Sequence, residues 1–264
     1  MSSSKPLLNF VHANGFPAGS YRSFLALFAD DYDTIALDQY GHNHRYPAHS
    51  SWQYLVQELI HYVKQQNEPI ICVGHSFGGV ISFLAACQHP ELFKGVIMLD
   101  PPVFTGRFSW LLSFAKKTRL IDKFSPSGKS KNRKQHWPLD TDMVNYFSSK
   151  GLFKHFDPRC LKDYVDSAII RRNNQQELGF SREVETEIFR NVPNNLRKYR
   201  DKLCVPAALI YGEKSNVLSP EHFQRFANMN NISLSTMPAG GHMFPLEKPE
   251  ETAIMVKEII NGWK

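Results

Sequence analysis

Short apolar runs rich in β-branched residues alternate with helix-length segments over the first hundred residues. The runs have the length of buried strands. Such alternation is typical of a parallel sheet with helices on both faces, because each parallel strand needs a crossover to the next. The pattern predicts strands at residues 7–13, 33–38, 69–75 and 94–100 and helices at 18–30, 51–66 and 78–89.

The segment from Pro101 to about Pro206 breaks this alternation. The strand and helix pattern then resumes, with predicted strands at Ala207–Tyr211 and Ile232–Met237 and a final amphipathic helix at Pro249–Trp263. We therefore expect a core made of residues 1–100 and 207–264 and a helical cap inserted at residues 101–206.

The start of the insertion is dense in large apolar side chains at spacings compatible with one helix face. These side chains either line an acyl-binding pocket or pack the cap against the sheet, and the sequence supports both alternatives. They belong to Phe104, Phe108, Trp110, Leu111, Leu112 and Phe114.

A serine lies between a predicted buried strand and a predicted helix. The apolar run Pro69–Val73 leads into Gly74-His75-Ser76-Phe77-Gly78-Gly79, and the apolar segment Val80–Cys87 follows. Glycine on both sides of a serine lets strand and helix pack closely at a sharp turn, which exposes the hydroxyl. The pattern therefore predicts a nucleophile elbow with Ser76 at its apex.

A serine hydroxyl is a weak nucleophile at neutral pH and needs a base. The loop Gly240-Gly241-His242 supplies a histidine late in the chain. Together with the elbow, this order resembles the α/β-hydrolase family, which implies that His242 is the base. His75, next to the serine, is expected to be structural.

The loop after the first strand is similar to the His-Gly loop of that family. It reads His12-Ala13-Asn14-Gly15-Phe16-Pro17, with two residues between the histidine and the glycine. The resemblance implies that a backbone N–H of this loop, from Ala13, Asn14 or Phe16, binds the oxyanion of a tetrahedral intermediate. The N–H of Phe77, directly after the nucleophile, is expected to be the second donor.

The acid that orients the histidine departs from the usual family pattern. After the predicted strand Ala207–Tyr211, Ser215 stands where relatives have an aspartate. Asp100, at the end of the earlier strand, is the alternative that we select, because catalytic groups of open α/β sheets gather at the carboxyl ends of strands. Glu213, or a dyad assisted by Ser215 or Asn216, stays open as the other possibility.

The family usually begins with a two-stranded hairpin, for which the residues before position 7 leave no room. The resemblance therefore implies a reduced sheet of about six parallel strands, with the strand at 33–38 at its edge. The turn Asp38–Asn43 is similar to a structural turn of many relatives, with Tyr40 in place of the usual arginine.

Charge is distributed unevenly along the chain. The insertion has 21 Lys and Arg against 11 Asp and Glu, and the remainder has 10 against 14. The basic stretch Lys123–Lys134 is expected to be an exposed flexible loop, whose charge is either simply solvated or attracts anionic substrates or anionic lipid surfaces.

Composition favours one enzyme unit that acts on a small molecule. No run is long enough to span a membrane, Met1–Pro6 is too short and polar for a signal peptide, and four scattered cysteines form no disulfide framework. We expect no cofactor, no metal and no nucleic-acid partner, and we expect a cytoplasmic location.

These observations predict a serine hydrolase that cleaves a carboxylic ester, or a thioester, of an apolar acyl substrate. Ser76 is the expected nucleophile, His242 the base and Asp100 the acid. A carbon–carbon bond hydrolase, an acyltransferase and a non-catalytic binding protein of the same fold are the alternatives. Aspartate-dependent epoxide or haloalkane chemistry is disfavoured by the serine at the nucleophile position.

Overall fold

A six-stranded parallel sheet forms the centre of the protein, in a computed structural model that describes residues 5–118 and 120–263. The strand order is β2-β1-β3-β4-β8-β9, and every neighbouring pair is parallel. A second, antiparallel sheet has the order β5-β7-β6. The strands are β1 Leu7–Val11, β2 Asp33–Ala36, β3 Ile70–His75, β4 Phe93–Leu99, β5 His136–Pro138, β6 Ile169–Arg172, β7 Gln175–Leu178, β8 Ala207–Gly212 and β9 Ser233–Met237.

Helices occur between the strands of the central sheet and in the long segment between β4 and β8. Short 3₁₀ helices occur at Ala18–Tyr21, Ser50–Trp52, Pro90–Leu92, Gly151–Phe153 and Leu196–Tyr199. The α-helices are α1 Arg22–Ala26, α2 Gln53–Val63, α3 Phe77–Gln88, α4 Arg107–Lys117, α5 Ile121–Phe124, α6 Ser127–Ser130, α7 Met143–Ser148, α8 Pro158–Ala168, α9 Arg182–Arg190, α10 Pro220–Asn230, α11 Phe244–Glu247 and α12 Pro249–Asn261.

Both faces of the central sheet are covered, as predicted. Phe24 of α1 and Val256 of α12 share one buried cluster with Phe10 of β1. Successive strand residues point to opposite faces. Val11 accordingly belongs to the second cluster, which also contains residues of α2, α3 and α10. The α/β architecture with six parallel strands is therefore confirmed.

The strand β2 lies at the edge of the sheet, as predicted. It pairs only with β1 among the described residues. The strand is four residues long and begins at the exposed Asp33. A short edge strand with a charged residue is a poor template for pairing with another chain.

The helix predicted at residues 18–30 is shorter than expected. It divides into the 3₁₀ helix Ala18–Tyr21 and the five-residue α1. After α1 the amides of Leu27, Phe28 and Ala29 bond to carbonyls three residues earlier. This tighter pattern is typical of helix ends and ends the α-helix early.

The insertion contains the antiparallel sheet β5-β7-β6, which sequence analysis did not predict. Asn173 and Asn174 join β6 to β7 and both have positive φ, 50° and 57°. Two central residues with positive φ form the hairpin turn that matches strand twist, and asparagine tolerates this conformation better than most residues. The Asn-Asn pair was the sequence signal for this hairpin.

The apolar residues at the start of the insertion do not form one buried face. Phe104 and Leu112 pack partly against the core. Trp110, Leu111 and Phe114 are exposed, so the expectation that this set lines a pocket or packs on the sheet is wrong for these three. The side chain of Phe108 lies outside the described residues.

The basic stretch Lys123–Lys134 also differs from the expected exposed flexible loop. It contains α6, in which Ser127 and Ser130 are buried. The Ser127 hydroxyl donates to Asp122, and the hydroxyls of Ser130 and Thr186 are 2.9 Å apart. Local hydrogen bonds therefore fix this stretch against α9, despite its charge.

Candidate active site

Ser76 lies at the sharp turn between β3 and α3. Its backbone has φ 53° and ψ −116°, a conformation that non-glycine residues rarely adopt. Its N–H donates to the Leu99 carbonyl at 2.7 Å, which fixes the turn beside the end of β4. Ser76 is partly exposed, whereas its neighbours His75 and Phe77 are buried.

Glycine is required on both sides of Ser76 because backbones approach closely there. A Cβ at Gly78 would lie 2.1 Å from the Val11 carbonyl oxygen, and one at Gly74 would lie 2.4 Å from the Gly78 carbonyl oxygen. These distances are shorter than any tolerated contact. The glycines therefore have the spatial role that the elbow pattern implied.

The loop between β9 and α11 brings His242 to Asp100. The His242 Nδ1 atom is 2.6 Å from Asp100 Oδ2, and Asp100 is fully buried. An ionised carboxylate only accepts hydrogen bonds, so Nδ1 has the proton and Nε2 is left as an acceptor. This is the tautomer that a general base needs.

Asp100 is held from two further directions. Its Oδ1 accepts the Gly212 N–H at 2.9 Å, and its Oδ2 accepts the Ser215 hydroxyl at 2.5 Å. Its backbone has a positive φ of 47° at the end of β4. Ser215, at the usual position of the acid, therefore donates to the carboxylate that contacts the imidazole.

Glu213 lies apart from this pair. Its Oε2 accepts the Ala239 N–H at 2.7 Å. Of the two carboxylates that the sequence offered as the acid, Asp100 contacts His242 and Glu213 bonds to Ala239 instead.

His75 connects the turn to the His242 loop. Its Nε2 donates to the His242 carbonyl at 2.9 Å, and its Nδ1 accepts from the Tyr21 hydroxyl at 2.7 Å. The Tyr21 oxygen in turn accepts the Ala13 N–H at 3.3 Å. Burial lowers the pKa of His75 to about 3, so the ring stays neutral in this chain of bonds. Sequence analysis expected a structural His75 but missed Tyr21.

The amides of the His12–Pro17 loop differ in their partners. The Ala13 N–H donates to Tyr21, and the Phe16 N–H donates to the Ala13 carbonyl at 3.1 Å. The Asn14 N–H has no hydrogen-bond partner among the described residues. Phe16 is therefore removed from the candidate oxyanion donors, because a bonded amide is not free for a substrate. Asn14 stays a candidate, together with Phe77.

A buried histidine of this loop and a buried carboxylate of α2 hold the turn Asp38–Asn43. His12 Nε2 accepts the Tyr40 N–H at 3.2 Å, and burial lowers the pKa of His12 to about 4. Glu58 accepts the Gly41 N–H at 2.8 Å, and burial raises its pKa to about 7. Sequence analysis missed Glu58, which is an unremarkable glutamate on a predicted helix.

Helix α9, in the segment between β4 and β8, contacts the loop. The Asn14 side-chain amide donates to the Glu185 carbonyl at 2.9 Å. The Glu185 carboxylate is buried, and its Oε1 is 2.9 Å from Arg133 Nη2. A Cβ at Gly15 would lie 2.5 Å from the same Oε1. The glycine therefore gives room for this ion pair, which the sequence did not predict.

Comparison with known proteins identifies the family. A family model described as the alpha/beta hydrolase family matches residues 10–254. The chain belongs to the alpha/beta hydrolase family. Several proteins that are similar to this chain are named as lipases or esterases. The chain is therefore an alpha/beta hydrolase enzyme.

Two curated relatives and one solved structure illustrate the similarity. The chain is 28% identical over 246 residues to the uncharacterised hydrolase YugF of Bacillus subtilis, covering 91% of this chain and 84% of that one. It is 23% identical over 272 residues to a monoglyceride lipase homologue of Monkeypox virus, covering 97% and 88%. The structure of E-2-(acetamidomethylene)succinate hydrolase superposes with a TM-score of 0.80 at 19% identity, covering 98% and 92%.

The described residues contain neither a membrane-spanning helix nor a cluster of metal-binding side chains. None of the helices in residues 5–118 and 120–263 is both long and apolar enough to cross a membrane. Within the same residues, no three histidine, cysteine or acidic side chains are grouped so that they could hold a metal ion.

Proposed function

We propose that this alpha/beta hydrolase cleaves a carboxylic ester of an apolar acyl substrate through an acyl-enzyme intermediate. A thioester of such a substrate is the second candidate. The observation that carries the proposal is the 2.6 Å contact between His242 Nδ1 and Asp100 Oδ2, on loops next to the strained Ser76 turn. In this proposal Ser76 is the nucleophile, His242 the base and Asp100 the acid, and such a set of groups activates a serine hydroxyl.

In the first half of the reaction, the Ser76 hydroxyl attacks the carbonyl carbon while His242 Nε2 accepts its proton. The tetrahedral intermediate collapses, the bond to the leaving alcohol breaks, and His242 returns the proton to the alcohol oxygen. A water molecule then attacks the acyl-enzyme, again with His242 as base, and releases the carboxylic acid and free Ser76.

Asp100 stabilises the imidazolium that forms at each proton transfer. Its carboxylate also keeps the proton of neutral His242 on Nδ1. The hydroxyl of Ser215 and the amide of Gly212 occupy the other acceptor sites of the carboxylate, which orients it without adding negative charge.

Two backbone amides are the proposed donors that bind the oxyanion. The N–H groups of Asn14 and Phe77 have no hydrogen-bond partners among the described residues, which supports them as the donors. Such donors interact most strongly with the negative charge that develops in the transition state.

We propose that residues 101–206 act as a cap on a core formed by residues 1–100 and 207–264. The contacts of α9 with the oxyanion loop support this division, because they join the insertion to the catalytic end of the sheet. We also keep the cytoplasm as the proposed compartment, since all four cysteines are unpaired.

A fluorophosphonate probe tests the proposal. We expect covalent labelling of the wild-type protein, loss of labelling in Ser76→Ala, and a decrease by orders of magnitude in His242→Ala. The exposed Ser148→Ala is the matched control and should label normally.

The alternatives predict other results. Persistent labelling in Ser76→Ala would refute the assigned nucleophile. A wild-type protein that neither labels nor hydrolyses p-nitrophenyl esters would support a binding protein of the same fold. Faster acyl transfer to an added alcohol than to water would favour an acyltransferase.

A further inference from the structure

Helix α4 presents three large apolar side chains to solvent on one face. Trp110 is 73% exposed, Phe114 56% and Leu111 54%. At about 100° per residue, positions 110, 111 and 114 fall within one third of the helix circumference. Single exposed apolar residues are ordinary, whereas a cluster of this size marks an interaction surface.

The opposite side of α4 is attached to the rest of the insertion. The Ser109 hydroxyl donates to the Asn194 carbonyl, and the Lys116 amine donates to the Val192 carbonyl. Leu112 packs partly against the core. The helix is therefore docked in place, and its outward apolar face is not the result of a detached segment.

The charge of the insertion indicates what covers this face. The insertion has 21 Lys and Arg against 11 Asp and Glu, whereas the rest of the chain has 10 against 14. A second copy of the insertion would bring like charge to the face, which disfavours self-association. Anionic lipid headgroups match the basic charge, and acyl chains accept Trp, Leu and Phe side chains.

We propose that α4 is an interfacial anchor that docks the insertion on an anionic lipid surface. Its 11 residues give a helix about 16 Å long, about half of the ~30 Å hydrocarbon thickness of a bilayer. The helix lies along the interface with Trp110, Leu111 and Phe114 between the headgroups and the upper acyl chains.

Tryptophan fluorescence with vesicles tests this proposal. Trp110 is highly exposed, whereas Trp52 and Trp137 are buried and Trp263 is half-buried against the core, so a change on binding reports mainly on α4. We expect a blue shift and co-sedimentation with vesicles of equal parts phosphatidylglycerol and phosphatidylcholine. Binding to pure phosphatidylcholine should be weaker, and salt should weaken binding to the anionic vesicles.

Matched variants locate the contact. The double variant Leu111→Ser with Phe114→Ser keeps the fluorophore and should bind at least about tenfold more weakly. Ile254→Ser removes an equally exposed apolar side chain, 56% exposed, from α12 outside the insertion and should bind like the wild type. Thermal melting of each variant checks that it is folded.

Three outcomes would overturn the proposal. One is the absence of vesicle binding by the folded wild type, and another is an equal loss of binding in the Ile254→Ser and α4 variants. The third is a dimer in light scattering that the α4 variant abolishes, because a second copy would then cover the face. Ser76→Ala should bind vesicles normally, so failure of the proposed ester hydrolysis leaves this test unaffected.

Discussion

Two residues in left-handed backbone conformations, Ser76 and Asp100, have the nucleophile and acid roles in the proposed mechanism. Both lie at carboxyl ends of neighbouring strands, where the chain must turn sharply. A non-glycine residue with positive φ is costly, and such strain is found most often at functional sites. The hydrogen bond from Ser76 N–H to the Leu99 carbonyl, next to Asp100, links the two turns.

Replacement of the acid tests its role directly. Asp100→Asn should preserve the fold and lower kcat by up to about 10⁴-fold, because the imidazole then adopts the wrong tautomer. Adding Ser215→Asp should partly restore activity, since Ser215 Oγ lies 2.5 Å from the Asp100 carboxylate. Steady-state kinetics with a p-nitrophenyl ester measures both effects. Unchanged turnover in Asp100→Asn would remove Asp100 from the mechanism.

The bonds that link Tyr21, His75 and His242 predict a positioning effect. Tyr21→Phe leaves the acceptor Nδ1 of His75 and the Ala13 N–H without their partner. We expect kcat to fall about 10- to 100-fold with little change in KM, because small displacements of catalytic groups are costly. Lower melting temperature with normal kcat for the folded fraction would show instead that the network is only structural.

At the level of elements, the strand–turn–helix unit from β3 to α3 was the part most fully predicted from sequence. The pattern that predicts this unit is local, because the β-branched strand residues, the glycines around Ser76 and the apolar helix all lie within 20 residues of one another. The hairpin of β6 and β7 was missed because polar residues such as Arg171 and Gln175 obscure the apolar alternation of strands at the surface of the insertion. Tertiary pairing, and not propensity, forms these strands.

The elbow glycines give a stability prediction at this scale. Gly78→Ala places a Cβ against the Val11 carbonyl oxygen, and neither backbone can move without disturbing the sheet. We expect destabilisation of ~1–3 kcal/mol and loss of probe labelling. Gly151→Ala is the control, because a Cβ there meets no atom within 4 Å. Urea denaturation should separate the two, and equal effects would contradict the close approach described here.

For the whole molecule, the sequence was sufficient for the class of fold and for Ser76 and His242 as candidate site residues. It left the acid open between Asp100, Glu213 and a dyad assisted by Ser215 or Asn216. That choice depends on distances between loops that are more than 100 residues apart in the chain. The loop amides were ambiguous for a different reason. Their partners are close in the chain, since the Ala13 N–H donates to Tyr21 and the Phe16 N–H to the Ala13 carbonyl, but no sequence pattern indicates these bonds.

Glu58 makes the stability of the folded protein depend on pH. Its pKa is raised to about 7 from an ordinary value of 4.5, so its contribution to stability is complete below pH 4.5 and is lost as pH rises through 7. Glu58→Gln should therefore match the wild type at pH 4 and exceed it by ~3 kcal/mol at pH 8. The exposed Glu258→Gln is the control. Urea unfolding at both pH values measures this, and a pH-independent difference would refute the assigned pKa.

The acyl-enzyme is the central claim, and intact mass spectrometry with peptide mapping after rapid mixing with p-nitrophenyl butyrate tests it most directly. We expect a burst of p-nitrophenol of about one equivalent per protein and a butyryl adduct on the peptide that contains Ser76. Steady hydrolysis without an adduct on Ser76, or an adduct that persists in Ser76→Ala, would contradict it.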